Sequence, residues 1–255
     1  MKIFSVANRK GGVAKSTTCV HLAHAAVERG MRVLLVDLDP QRNFSNSFPA
    51  TSDDEASTAL QLFADGVTIT PEVISPNLSI LRAVEELSML GAATEASLKR
   101  FATNLRALAK GFDLTIIDTP GVLGIAPPMT ISGLAAADAV LCPVAVGKFE
   151  AEAIRDLWRY VHMVKAKHNP RLNLLGLLPS RINTRSGDEM DALAQLRTDL
   201  GKIVLPQMLS ENAAVKKAIA QLKPVWRGVR GTGHKNAANE WREMTSYVLN
   251  VLEAK

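Results

Sequence analysis

The sequence predicts an α/β fold: one domain over residues 1–255, built on a mostly parallel, twisted sheet with helices on both faces. Three observations predict it. Short, mostly apolar runs alternate with segments of helical period, and the runs lack the regular polar alternation of half-exposed strands, as strands covered on both faces should. Aromatic residues make up only 5% of the chain while Ala, Leu and Val are plentiful, which suits helices packed on a sheet better than a β-sandwich. Finally, a glycine-rich loop comes after the first run and an acid directly follows two others, at the strand ends where open parallel sheets bind ligands.

Residues 2–7 read as a buried strand, followed by a glycine-rich loop and a helix over 15–29 that Gly30 stops. A second strand covers 31–36. A polar stretch over 45–54, a short helix and a strand over 78–81 come next. In residues 94–110, Leu98, Phe101, Leu105 and Leu108 share one helical face. The clearest central strand is 112–117, and 139–144 is another. A helix over 150–167 turns Ile154, Leu157, Trp158, Val161 and Val164 inward, and 172–178 returns as a strand. Helices near 187–200, 211–222 and 236–253 complete the chain, with no repeat or linker between domains.

Composition narrows the function. With 47% hydrophobic and 22% charged residues among 255, the chain is globular and long enough for a sizeable core. No apolar run approaches the ~20 residues that span a bilayer, and the N-terminus is too short for a signal peptide core. A cytoplasmic protein is expected. Cys19 and Cys142 are far apart, form no CxxC pair and have no histidine cluster near them, which argues against structural zinc or an iron–sulfur cluster. The net charge of +5 is compatible with a polyanionic partner without requiring one.

The chemistry sits at the strand ends. After the first strand comes NRKGGVAKSTT (8–18), running into a helix. Phosphate binding needs backbone N–H groups converging on one point, small residues that let the backbone approach, and a helix N-terminus. Gly11, Gly12, Val13, Ala14 and Thr17 supply that frame. Lys15 supplies a charge for the β- and γ-phosphates, and Ser16 a hydroxyl for Mg²⁺. The general pattern GxxxxGK[ST] fails here, because Arg9 and Ala14 stand at its glycines. With Ala14 in a glycine's place, the backbone there is expected to take a φ that a Cβ tolerates.

The second strand ends in DLDPQRN (37–43). Asp37 and Asp39 are expected to face the same way, where a carboxylate can position an attacking water or hold a metal-bound one. The strand over 112–117 ends in DTPG (118–121). An acid closing a strand that is mostly apolar (Leu114, Ile116, Ile117) suits Mg²⁺ held through water, and Gly121 can sense a γ-phosphate through its backbone. Each pattern alone is weak; all three in order are strong.

KGGVAKSTT (10–18), DLDPQRN (37–43), DTPG (118–121) and the weaker AADAVLCPV (136–144) resemble the ParA family, the deviant Walker A class of partition ATPases, over nearly the whole chain. That likeness implies a single P-loop NTPase domain using ATP/ADP and Mg²⁺. It implies that Lys10 is the signature lysine, crossing a homodimer interface to the partner's nucleotide, that Asp39 supports hydrolysis and that Asp118 is the Walker B acid. Lys10, Lys15 and Asp39 are then the catalytic set, with Ser16, Asp39 and Asp118 at the metal. Base contacts are expected near Asn183 and Pro206. The likeness further implies slow ATP hydrolysis stimulated by a ParB-type centromere-binding protein, and ATP-dependent binding to double-stranded DNA without sequence preference.

For that DNA the C-terminal third offers the densest basic surface: Lys216 and Lys217 on a helix, then Arg227, Arg230 and Lys235 among glycines. Trp226 reads as buried packing rather than a base-stacking platform, and Trp158 and Trp241 read as core. A membrane-cycling relative of the MinD type would end in a basic amphipathic helix. The last turns here (247–255) carry almost no positive charge and read as a docked core helix, so no membrane partner is expected. A relative positioning a protein cargo shares the same chemistry. Because the chain opens on its first strand, the helix-turn-helix domain of larger ParA relatives is not expected, nor is operator binding. Nucleoid association in the ATP state follows from the resemblance.

Overall fold

The computed structural model describes residues 1–51, 55–147 and 150–254. Its strands are β1 (Lys2–Val6), β2 (Val33–Asp37), β3 (Glu72–Ser75), β4 (Leu78–Leu81), β5 (Leu114–Asp118), β6 (Ala139–Val144), β7 (Asn173–Ile182) and β8 (Leu209–Ser210). They form one sheet in the order β3-β4-β2-β5-β1-β6-β7-β8. Every described pair is parallel except β3 with β4. The helices are α1 (Lys15–Glu28), α2 (Glu95–Ala109), α3 (Met129–Ala136), α4 (Ala151–Lys167), α5 (Gly187–Leu200), α6 (Ala213–Ala220) and α7 (Gly231–Glu253).

Alternation along the central strands divides the core in two. Leu34, Val36 and Ile117 point to the face covered by α2, α3, α4 and α5. Phe4, Val6, Val33, Leu35 and Ile116 point to the face covered by α1, α6 and α7. With both faces dry, the strands carry no polar stripe, which is why they read as continuous apolar runs. Register then sets the functional end of the sheet: Asp118 lies beside Val6 on one side and Asp37 on the other.

The structure corrects several expected boundaries. β2 starts at Val33, two residues late. β7 runs to Ile182 rather than ending at 178, because Ser180 and Ile182 pair with β8 across a register shift. The helix expected over 211–222 is α6, started by the Asn212 side chain accepting from Ala214 N (2.9 Å). α7 begins at Gly231, five residues early, in glycine-rich sequence that reads as loop. Both β3 and β8 are short, and α3 is buried on nearly every side, Thr130 and Ser132 included, so none of the three carries a periodic signal. Residues 52–54 of the expected polar stretch lie outside the described residues, as does Lys255 of the last turns.

Beyond β2 the chain is tied down by Arg82. Its guanidinium donates to Glu72 (2.5 and 2.9 Å) and to the carbonyls of Ser45 (2.5 Å) and Pro49 (2.7 Å). The arginine holds Glu72 well below the usual carboxylate range, at about 2. α7 buries Trp241, Met244, Val248, Leu249 and Leu252, and is docked as expected. Trp226 is also buried, its indole N–H donating to Glu28 (3.0 Å), whereas Trp158 is only half-buried at the edge of the core. No described helix is long and apolar enough to cross a membrane.

Candidate nucleotide site

The loop between β1 and α1 is anchored at both ends. Asn8 donates to Pro143 O (2.5 Å) and accepts from Lys10 N (2.8 Å). Lys15, only 7% exposed, folds its ammonium back onto Lys10 O (3.0 Å). α1 opens with no side-chain cap and no acid in its first turn, so its leading N–H groups and the positive end of its dipole stay available to an anion. At the helix entrance Ala14 has φ 70° and ψ 27°. The expectation of a Cβ-tolerant φ is thus overturned: the turn takes the left-handed conformation with an alanine in place, at a cost of roughly 1–2 kcal/mol.

Asp37 and Asp39 divide the work expected of both. Asp37 is fully buried and accepts from Ser45 N (2.7 Å), Ser45 Oγ (2.6 Å) and Asp39 N (3.0 Å), so it shapes the loop. Asp39 faces the cavity and accepts from Gln41 N (3.0 Å). At the end of β5, Asp118 is fully buried and accepts from Ser16 Oγ (2.5 Å). Gly121 lies against the phosphate loop, where an added Cβ would meet Arg9 O and Gly11 N at 3.3 Å.

Burial, joined by the charge of Asp37, pushes the Asp118 carboxyl well up; burial also raises Asp37 to about 6. Lys15 is lowered by burial although Asp118 and Asp39 pull the other way. The donors fit Mg²⁺: a hydroxyl and a desolvated carboxylate, all hard oxygens, meet beside a lysine and a helix N-terminus. No described cluster of three or more His, Cys, Asp or Glu could hold a metal by itself.

These groups line one cavity of about 750 Å³. Gly11, Gly12, Ala14, Lys15, Ser16 and Thr17 of the loop line it together with Asp39, Gly121, Arg181, Glu211 and Lys216. Val13 is buried beneath, and Asp118 sits behind Ser16. Lys10 is not among the lining residues; it is 53% exposed, its ammonium paired with Glu150 of the same chain.

Asn183 and Pro206 are not among the lining residues. Asn183 N donates to Glu189 (2.8 Å), and Pro206 O accepts from Arg197 (2.9 Å). The neighbouring Arg181 and Leu209 to Asn212 form that wall instead. Reading the strand to its true end at Ile182 would have placed Arg181 at the site by the strand-end rule. Of the basic residues, Lys216 reaches the cavity and pairs with Glu211 (3.3 Å), and Arg227 pairs with Glu28 (3.0 Å). Lys217, Arg230 and Lys235 are exposed and make no ion pair among the described residues.

A parallel sheet with a phosphate loop after its central strand, and acids at the ends of β2 and β5, defines a P-loop nucleotide-binding protein. Residues 1–174 match the family described as AAA domain. Protein IncC of Escherichia coli is 33% identical over 99% of this chain and 70% of its own length. The chromosome-partitioning ATPase Soj of Thermus thermophilus is 33% identical over 88% of this chain and 89% of its own. Among solved structures, cobyrinic acid a,c-diamide synthase from Mycobacterium smegmatis with bound ADP and magnesium superimposes with a TM-score of 0.77 at 26% identity, covering 99% of this chain and 96% of that one. The chain belongs to the AAA-domain P-loop ATPases and, within them, to the ParA family.

Proposed function

We propose that this protein is an ATP-driven partition switch for a plasmid or chromosome. The observation that supports it most is the meeting of Lys15, Ser16, Asp39 and Asp118 around one cavity above an uncapped helix N-terminus, in a chain related to partition ATPases. Backbone N–H groups of residues 11–16 and the Lys15 ammonium bind the phosphates of ATP. Ser16, and Asp118 through water, hold Mg²⁺, which when bound neutralises phosphate charge in transfer. Asp39 orients the attacking water. Lys10 leaves Glu150 and reaches the nucleotide of a second copy, so that the ATP state is a homodimer.

The dimer carries Lys217, Arg230 and Lys235 to double-stranded DNA, with Lys216 and Arg227 contributing where their acidic partners release them. A centromere-binding partner of the ParB type stimulates an otherwise slow hydrolysis, and the ADP state lets go. The difference in DNA affinity between the two states is what drives the cycle. Such a protein works in the cytoplasm, on the nucleoid when ATP-bound.

The test is binding to random-sequence duplex DNA without nucleotide, with ADP, with ATP and with a slowly hydrolysed analogue, at two salt concentrations. Salt-sensitive binding confined to the triphosphate states is expected. ATP binding with no DNA binding in any state would keep the ATPase and send the search for cargo to a protein or membrane.

A further inference from the structure

Arg181 stands at an irregularity in the fold. It lies where the register between β7 and β8 shifts, between Ser180 and Ile182, and its backbone has φ 58°. Positive φ in a non-glycine residue is costly and gathers at functional sites. The shift turns the side chain out of the strand and onto the phosphate loop. One guanidinium nitrogen donates to Gly12 O (2.7 Å) and the other to Glu211 (2.8 Å). The contact is close enough that a Cβ on Gly12 would meet Arg181 Nη1 at 3.3 Å.

The preceding residue makes the matching contact: Ser180 Oγ donates to Val13 O (2.8 Å). Two consecutive carbonyls of the loop are thus held from β7. In a planar trans peptide the N–H points opposite to the C=O before it. Holding Gly12 O therefore aims Val13 N–H away from β7, and holding Val13 O does the same for Ala14 N–H. Amides aligned in this way are what an anion-cradling loop requires. The third residue in line is Ala14, in the left-handed conformation that glycine adopts freely and alanine does not.

We propose that Arg181 is a positioning residue that holds the phosphate loop in its anion-binding shape against the backbone strain at Ala14. Glu211 fixes the guanidinium, and Lys216 shares that carboxylate (3.3 Å). An alanine is tolerated at position 14 because the loop carbonyls before it are clamped from a distant strand. The inference rests on the reading of this loop as an ATP site.

The experiment measures dissociation constants for a fluorescent ATP analogue with Mg²⁺ in wild type, Arg181→Met, Ala14→Gly and the double variant, with Lys15→Ala as the binding-site control. Thermal midpoints without nucleotide verify that each variant folds. Arg181→Met should weaken binding about tenfold in the Ala14 background, as loss of a charge-assisted hydrogen bond implies. In the Ala14→Gly background it should cost about threefold or less, because the glycine removes the strain the arginine restrains. Arg181→Lys, which keeps the charge but not the fork, should fall between wild type and Arg181→Met. Equal losses in both backgrounds would overturn the proposal, since a role confined to charge or to general folding is indifferent to residue 14. Wild-type affinity in Arg181→Met would overturn it too and leave the ATP site standing. A wild type that binds no analogue, or binds it equally with Lys15→Ala, would overturn the ATP reading itself.

Discussion

Ser16 Oγ and Asp118 Oδ2 lie 2.5 Å apart, joining the first turn of α1 to the end of β5 although 102 residues separate them in the chain. This contact closes the space in which a hydroxyl and a buried carboxylate would share Mg²⁺. It also explains how so buried an acid persists, since the hydroxyl donates to it and Lys15 lies near.

Asp118→Asn should remove the advantage that Mg²⁺ gives ATP. Affinity measured by calorimetry in excess Mg²⁺ should fall roughly tenfold or more, with little change in EDTA. An equal loss in both conditions would point to a collapsed loop in place of a metal ligand.

Asp39 faces the cavity and, among the described residues, accepts a local backbone bond alone, so it is the carboxylate placed to act on water. Asp39→Ala should keep ATP binding and lower turnover by about 100-fold. The variant should then remain on DNA after wild type has left. Wild-type hydrolysis would remove its assigned role. Asp37→Ala should instead damage folding, because three hydrogen bonds that shape the loop converge on it.

Arg82→Ala removes the guanidinium bonds to Glu72, Ser45 O and Pro49 O and leaves Glu72 with its bonds from Thr51. A largely buried, multiply bonded pair broken from one side costs about 3 kcal/mol. The urea midpoint should drop accordingly with an unchanged slope. A loss below about 0.5 kcal/mol would mean that water replaces the guanidinium freely.

His21 makes acid a specific stress. It is buried on α1, stacked on Trp241 at 4.1 Å, accepts from Val225 N through Nε2 (3.1 Å), and contacts Thr17 O through Nδ1 (2.8 Å). Burial lowers it from 6.5 to about 3, and His24 to about 4. The unfolded chain therefore binds more protons, so this contribution to stability is complete above pH 6.5 and shrinks as pH falls toward 3. Asp37, raised from 3.8 to about 6, acts in the opposite direction: its contribution is complete below 3.8 and is lost as pH rises through 6. His21→Gln should reduce the fall in thermal midpoint between pH 6.5 and 4.5 relative to wild type. Parallel curves would show that His21 is protonated without cost.

Much of the fold and half of the site could be read along the chain. Continuous apolar strands, a glycine-rich loop entering a helix and acids closing two strands are local patterns; a parallel sheet must bring its strand ends to one edge, so their order already implied that Lys15, Ser16, Asp39 and Asp118 meet. The short β3 and β8, the almost wholly buried α3 and the far end of β7 escaped because a few residues, or a helix buried all round, carry no period.

What only the tertiary structure decided has a common physical cause. The left-handed Ala14, the inward role of Asp37, the place of Lys216 at the cavity and the clamp of Arg181 on Gly12, 169 residues away, depend on which backbone groups need a partner once the sheet has closed. Sequence spacing shows where a strand ends; hydrogen bonds between distant segments decide which side chain there reaches the nucleotide loop.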